Sequence, residues 1–512
     1  MSNFLDDNIN QTVLLDVNYL DVLGDNTFEY SLYKLITETL DLSEFNARYK
    51  NKTVGRKAYP PALLLRVIFY AYYRGVTSSR VIERFCKTDL KLMALASGRT
   101  PHFTTIADFV SSNCEAMKTL FHKILLICCK SGLVGKEHFA IDGCKLPSDA
   151  SKEWSGTHKE LKRKSDKLKA SAQKIIDRHL SNDNDKNTTG GNKRRELQSI
   201  ETLLNNAKKI DDFLNDGERR MGVGKRKKEV KSNVTDNEST KMTTSKGTLQ
   251  GYNCQAASDE LHQIVLYAEA AGVGQDQSLL KPMIEGIRKN LSDDIFDSGV
   301  LLTADTGYSS EENMGYLFKE TINAIVPDND FRQRDKRIVE SESYQAHKQH
   351  RQKTRNDKSK GKTSIPASEF IVDVESRSCI CPNGKEMLYL GDHFNSPRGN
   401  YLRFRGKLQD CRSCPMQSRC MKNPIKDQGR QVSFLPKEHE QESFLDLMAK
   451  RIDSEEGRRN YSRRMWTIEP VFGNITSNKR LNRITLRGKA KATGQWLMYC
   501  MVHNMEKLWR YA

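Results

Sequence analysis

Three carboxylates stand in contexts that could gather them. Asp142 follows the run His138-Phe139-Ala140-Ile141 and precedes Gly143. Asp305 follows a similar run, Val300-Leu301-Leu302-Thr303-Ala304, and precedes Thr306-Gly307. Glu469 lies in the helical stretch Arg463-Arg464-Met465-Trp466-Thr467-Ile468-Glu469. Runs this apolar read as buried strands, and glycine lets the backbone turn as the chain leaves a sheet. A lone strand-end aspartate is more often a turn or cap residue; the repeated context and the late glutamate shift the balance. Two strand ends and one helix would thus present an oxygen-rich site suited to Mg²⁺ or Mn²⁺. Two such ions can activate a nucleophile and stabilise the leaving oxygen in phosphodiester chemistry.

Cysteine spacing points to a second metal. Cys379 and Cys381 lie in Cys-Ile-Cys-Pro-Asn-Gly-Lys, and Cys411, Cys414 and Cys420 in Cys-Arg-Ser-Cys-Pro-Met-Gln-Ser-Arg-Cys. Cys381, Cys411, Cys414 and Cys420 are the expected ligands of one structural Zn²⁺, leaving Cys379 spare. The alternative is unrelated free thiols. The remaining cysteines are isolated or on apolar faces, as core residues are.

Charge points to a polyanionic partner. The 512 residues carry 83 Lys+Arg against 65 Asp+Glu, a formal net charge of +18. Nucleic acid is the most plausible partner, although a merely basic soluble protein has the same balance. No stretch has the length and apolarity of a membrane span, and no signal peptide is apparent, so a cytoplasmic location with reduced thiols is expected.

These groups need elements to hold them. Residues 1–58 form a lead-in. Residues 59–134 read as a helical domain: Pro60-Pro61 opens a helix through Tyr73, Thr77-Ser78-Ser79 caps a second, and a third lies near Asp89–Ala96. The tight turns resemble a helix-turn-helix module, with Arg80 and Arg84 available for phosphates; an ordinary helical bundle is the competing reading. Residues 135–330 and 456–512 read as the catalytic core. Within it, the basic segment 152–231 reads as a helical hairpin with faces Leu161, Leu168, Ala172, Ile175, Ile176 and Leu197, Ile200, Leu203, Leu204, Ile210. Its run Lys225-Arg226-Lys227-Lys228 could lie along DNA or be a solvated face. Stretches 250–257 and 263–270 read as an antiparallel pair, followed by an amphipathic helix from Gln277 to Lys289. Residues 331–455 read as an insertion with a mobile basic linker up to about Lys362 and the cysteine module. Near the end, Met465, Ile468, Phe472 and Ile475 form an apolar spine that Pro470 could kink. The order gives an α/β chain: a ribonuclease-H-like mixed sheet interrupted by insertions and preceded by helices.

At Ile141-Asp142-Gly143, Gly251-Tyr252-Asn253-Cys254-Gln255-Ala256-Ala257, Ala304-Asp305-Thr306-Gly307-Tyr308 and Ile468-Glu469-Pro470-Val471-Phe472-Gly473-Asn474-Ile475, the sequence resembles the DDE transposases of bacterial insertion sequences. His503-Asn504 also fits, and the resemblance runs from about residue 20 to 508. It is most similar to the branch with an InsH-like helical N-terminal domain and a cysteine-rich insertion before the catalytic glutamate. The resemblance implies Asp142, Asp305 and Glu469 as catalytic ligands of two Mg²⁺ or Mn²⁺ ions. It implies double-stranded DNA as partner, as terminal inverted repeats and target, with strand cleavage and transfer by a homodimer. Tyr461 and Arg464 keep the family's offset, and Lys479 is the nearest substitute for its lysine, whose position is Thr476 here. Two other readings remain: a non-catalytic DNA-binding protein, and a ribonuclease-H-like nuclease without strand transfer.

Overall fold

The computed structural model describes residues 18–46, 49, 57–182, 190–217, 219–222, 228–244, 247–342, 344–346, 365–393, 401–421, 428–434 and 442–512. The chain divides into two compact units, one of residues 1–303 with 463–512 and the other of residues 304–462.

The first unit opens with helices. α1 (Pro61–Tyr73) starts on a proline, whose missing N–H is no loss in a first turn, and is buried almost all round. Its one guanidinium, Arg66, is satisfied inside by the Leu95 carbonyl at 3.1 Å and Thr37 Oγ1 at 2.9 Å. α2 (Ser79–Thr88), α3 (Leu90–Leu95), α4 (Phe103–Ser112) and α5 (Cys114–Lys130) follow. Asp89 caps α3 by accepting from the Leu92 N–H.

The sheet begins with β1 (His138–Pro147). Phe139, Ala140 and Ile141 are fully buried, as the apolar run requires. The strand does not stop at Asp142, however; it continues through Pro147, antiparallel to β3, with Asp142 opposite Ala256 and Gly143 opposite Gln255. Gly143 is therefore not a turn. A Cβ there would fall 2.1 Å from Gln255 Nε2, so glycine makes room for the neighbouring strand's amide. After β1 comes the expected hairpin of α6 (His158–Asn182) and α7 (Gly190–Asp216). Ala172, Ala207 and Ile210 close its seam, and Ser165 and Lys169 both reach Asp211. Leu197 and Leu204, expected on that seam, are exposed, because Ile200, Ala207 and Ile210 define the buried stripe instead. Lys225, Arg226 and Lys227 lie outside the described residues; Lys228 is exposed.

β2 (Thr240–Thr244), β3 (Gly247–Asp259) and β4 (Val265–Ala271) form an antiparallel meander, and α8 (Leu280–Asn290) packs on it. β5 (Leu301–Ala304) lies beside β1: the Leu301 N–H donates to the Glu137 carbonyl and Thr303 Oγ1 lies 3.4 Å from that of Phe139. Both chains advance two residues between these contacts, so β5 is parallel to β1.

In the second unit, β6 (Met387–His393), β7 (Tyr401–Gly406) and β8 (Gln431–Phe434) make an antiparallel sheet. Its core holds Phe370, Cys379, Met387, Leu402, Phe404 and Val432. The start of the expected mobile linker is instead folded: Phe331 is buried edge-on against Tyr461, and Arg334 ion-pairs with Asp328 and Asp453. Residues 347–364 lie outside the described residues.

The chain completes the first unit with α9 (Arg464–Thr467), α10 (Glu469–Gly473) and α11 (Lys489–Tyr511). α11 is buried from Ala492 to Glu506 and packs on β4 as well as on α1, α4 and α5, so the N-terminal helices and the sheet share one core. Among the described residues, no helix is long and apolar enough to cross a membrane.

Candidate active site

Pro470 shapes the site. Lacking an N–H, it cannot bond the Trp466 carbonyl, and the helix breaks at Ile468 between α9 and α10. Two carbonyls left at the break are taken up by side chains: Gln263 Nε2 donates to Trp466 at 3.4 Å and Ser258 Oγ to Thr467 at 2.9 Å. The break re-phases the expected apolar spine. Ile468, Val471 and Ile475 are fully buried, while Met465 is turned out and 56 % exposed. Glu469 becomes the first residue of α10, with its side chain 54 % exposed.

Asp142 and Glu469 meet across Arg464. Arg464 Nη2 lies 2.5 Å from Asp142 Oδ2, and Nη1 lies 4.0 Å from Glu469 Oε1. The other Asp142 oxygen accepts from the Gly143 N–H at 2.8 Å. The arginine side chain is only 9 % exposed, so this ion pair is weakly screened. Asp305 belongs to the second unit, in extended conformation, and opens a turn in which the Tyr308 N–H bonds its carbonyl at 3.0 Å. Tyr461 is also in that unit, against Phe331.

Lys479 sits elsewhere. Its Nζ is buried, 2.5 Å from Glu506 Oε2 and 3.1 Å from Asn474 Oδ1, over the ring of Tyr73. Burial lowers the ammonium from its ordinary value. Burial also penalises the Glu506 carboxylate, but Lys479 and Asn474 outweigh this and hold the acid below its usual range. The structure thus makes Lys479 an interior ion-pair partner, not a group presented beside Asp142.

Arg80 and Arg84 are exposed on α2, Arg80 lying over the Phe103 ring. Beside β1, Asn253, Gln255 and Asp276 form a polar cluster: both amides donate to Asp276 Oδ1, at 2.6 and 3.1 Å.

In the second unit, Cys381, Cys411, Cys414 and Cys420 line one cavity. The Lys385 N–H points at Cys381 Sγ, 3.4 Å away, in a tight turn that Gly384 makes possible at φ +72°. Cys379 does not line this cavity: it is fully buried, its sulfur against Met387. Among the described residues, no group of three or more His, Cys, Asp or Glu is gathered closely enough to hold a metal ion.

The donor chemistry nevertheless fits two different cations. Asp142 and Glu469 offer hard oxygens on either side of a cationic guanidinium, which stands where a divalent ion's charge would be welcome. Four thiols around one cavity, one already receiving a backbone N–H, suit Zn²⁺.

His138 is the residue that reading the sequence passed over. It stands four positions before Asp142 and is buried between two threonines. Its partners are 165 and 329 positions away, so no local pattern could have revealed it.

Comparison with known families places both ends of the chain. Residues 380–509 match the family described as transposase DDE domain, and residues 21–112 that described as transposase domain (DUF772). The first match contains Arg464, Glu469 and most of α11 but begins after Asp142 and Asp305; the second contains α1 to α4. No curated protein and no solved structure gives a match. A mixed sheet behind a helical N-terminal region agrees with the ribonuclease-H-like fold that a DDE domain implies. The chain thus carries a transposase DDE domain and, ahead of it, a DUF772 transposase domain, the combination of the InsH-like branch.

Proposed function

We propose that this transposase cuts DNA at the ends of an insertion sequence and joins the freed 3′ ends to target DNA. Asp142, Asp305 and Glu469 would hold two Mg²⁺ or Mn²⁺ ions. Bound there, such ions supply Lewis-acid charge for the nucleophile and the leaving oxygen. The observation that carries the reading is Arg464, which joins Asp142 and Glu469 although 322 positions separate it from Asp142.

The chain's own residues prepare the site. Arg464 pins one of the Asp142 oxygens, while the Gly143 N–H pins the other. The break at Pro470 leaves Glu469 at a helix start, turned to solvent where DNA can approach. Arg80, Arg84 and Lys228, with Lys225, Arg226 and Lys227, are the groups we assign to phosphates. Zn²⁺ on the four cysteines would order the insertion and take no part in the chemistry. Synapsis of two ends requires a homodimer in the active complex.

The test is cleavage of end DNA by purified protein with Mg²⁺. Asp142→Ala, Asp305→Ala and Glu469→Ala should each abolish cleavage and leave end binding intact. Near-normal cleavage by any one of them removes that residue from the site. Nicking without joining of a cleaved 3′ end would favour a nuclease; binding without nicking, a non-catalytic DNA-binding protein.

A further inference from the structure

His138 occupies a singular position among the buried polar residues. Its ring has no measurable exposure, and neither do Thr303 and Thr467. Nε2 lies 2.8 Å from Thr303 Oγ1, and Nδ1 lies 3.3 Å from Thr467 Oγ1. Each partner leads to an acid in the chain: Thr303 is two residues before Asp305, Thr467 two before Glu469, and His138 itself four before Asp142.

The hydrogens can be assigned from donor counts. Thr467 gives its only hydroxyl hydrogen to the Arg463 carbonyl at 2.8 Å, so towards His138 it can only accept. Nδ1 therefore carries the ring proton. Nε2 then has a lone pair, and Thr303 donates to it, since the Phe139 carbonyl is farther, at 3.4 Å. A neutral ring satisfies both neighbours; a protonated ring would require Thr303 to turn its hydrogen to the more distant Phe139 carbonyl. The charged groups facing Nδ1 are Glu260, at 3.6 Å, and Arg463, whose Nε donates to that same carboxylate at 2.8 Å. Burial drives the imidazole down to about 4, which keeps it neutral near pH 7.

We propose that His138 is a positioning residue of the transposase site, a neutral tie that sets β5 and α9 against β1 and so fixes the backbone that presents the three acids. This rests on the three-carboxylate reading. An ordinary buried histidine would need only to be satisfied; this one uses each ring nitrogen on a different segment leading to an acid.

Thr303→Val and Thr467→Val test the tie with little change of shape, and His138→Ala removes it. The readouts are Mn²⁺ binding, followed by depletion of the free-ion EPR signal, and single-turnover cleavage at saturating DNA. Each variant should bind Mn²⁺ about tenfold more weakly, as loss of an outer partner does at metal sites. Cleavage should slow while DNA affinity is unchanged. His138→Gln, which can still accept from Thr303, should recover part of the loss. Should His138→Ala fail to fold, the two threonine variants carry the test. Wild-type Mn²⁺ affinity and cleavage rate in both valine variants, whatever their melting temperatures, would overturn the proposal. Normal cleavage by Asp142→Ala, or wild-type protein that binds no Mn²⁺, would instead sink the carboxylate reading itself, and the proposal with it.

Discussion

The guanidinium of Arg464 closes on the Asp142 carboxylate at 2.5 Å, so the first acid of the site is already neutralised by the helix that leads to the last. Arg464→Met leaves Asp142 without that counter-charge. A broken ion pair of this burial costs up to about 3 kcal/mol. Mg²⁺ should then raise the melting temperature of the variant more than that of the wild type, because the cation replaces the lost charge. Equal Mg²⁺ shifts in both proteins would mean that the guanidinium and the cation do not share a site.

Lys479 provides a second prediction. Lys479→Ala should destabilise the protein by about 3–5 kcal/mol, because Glu506 is left buried and charged. The double variant Lys479→Met with Glu506→Gln should recover much of this in urea unfolding. DNA affinity should not change. A phosphate contact would show instead as a salt slope reduced by about one.

Stability should fall in mild acid. Burial depresses His138 to about 4 and His503 to about 3, against 6.5 ordinarily. Below pH 6.5 the unfolded chain takes up protons that the native chain refuses. The stabilisation is complete above that pH and is lost as pH falls towards 4 and then 3. For His138 alone, this is roughly 3 kcal/mol. His138→Gln should flatten the dependence of unfolding on pH between 6.5 and 4; an unchanged slope would contradict a neutral native imidazole.

Metal analysis should find about one zinc per chain if Cys381, Cys411, Cys414 and Cys420 close a tetrahedron. Cys414→Ser should lose it and expose residues near 370–430 to protease, while cleavage chemistry at the carboxylates persists. Burial raises the Cys420 thiol, so zinc should be released as pH falls and protons compete for the ligands. Zinc-free protein with a protease-resistant insertion would return these cysteines to ordinary thiols.

The elements that carry Asp142 and Glu469 were legible because they follow strong local patterns. The apolar Phe139-Ala140-Ile141 run forecast a buried strand, and Pro470 forecast a kink. Gly143 misled, since its glycine answers to Gln255 on a neighbouring strand rather than to a turn. Met465 misled because the helical phase resets at Ile468, which periodicity reads straight through. Lys479 was read by its distance from Glu469 in sequence, yet its surroundings come from Glu506 and Tyr73, which that distance does not contain. Cys379 was separable from the other cysteines, and the structure buries it against Met387.

The placement of α11 has a bearing on synthesis. This helix, residues 489–511, lies inside the unit whose N-terminal helices and strands, up to Thr303, are separated from it by the whole second unit, residues 304–462. A ribosome must therefore translate the whole second unit before the first can close its core. Until then the β4 face that α11 covers stays uncovered on the nascent chain, a natural substrate for chaperones. Termination anywhere before α11 would leave a product that cannot complete this core, so the fold of the first unit is closed only once α11 has been made.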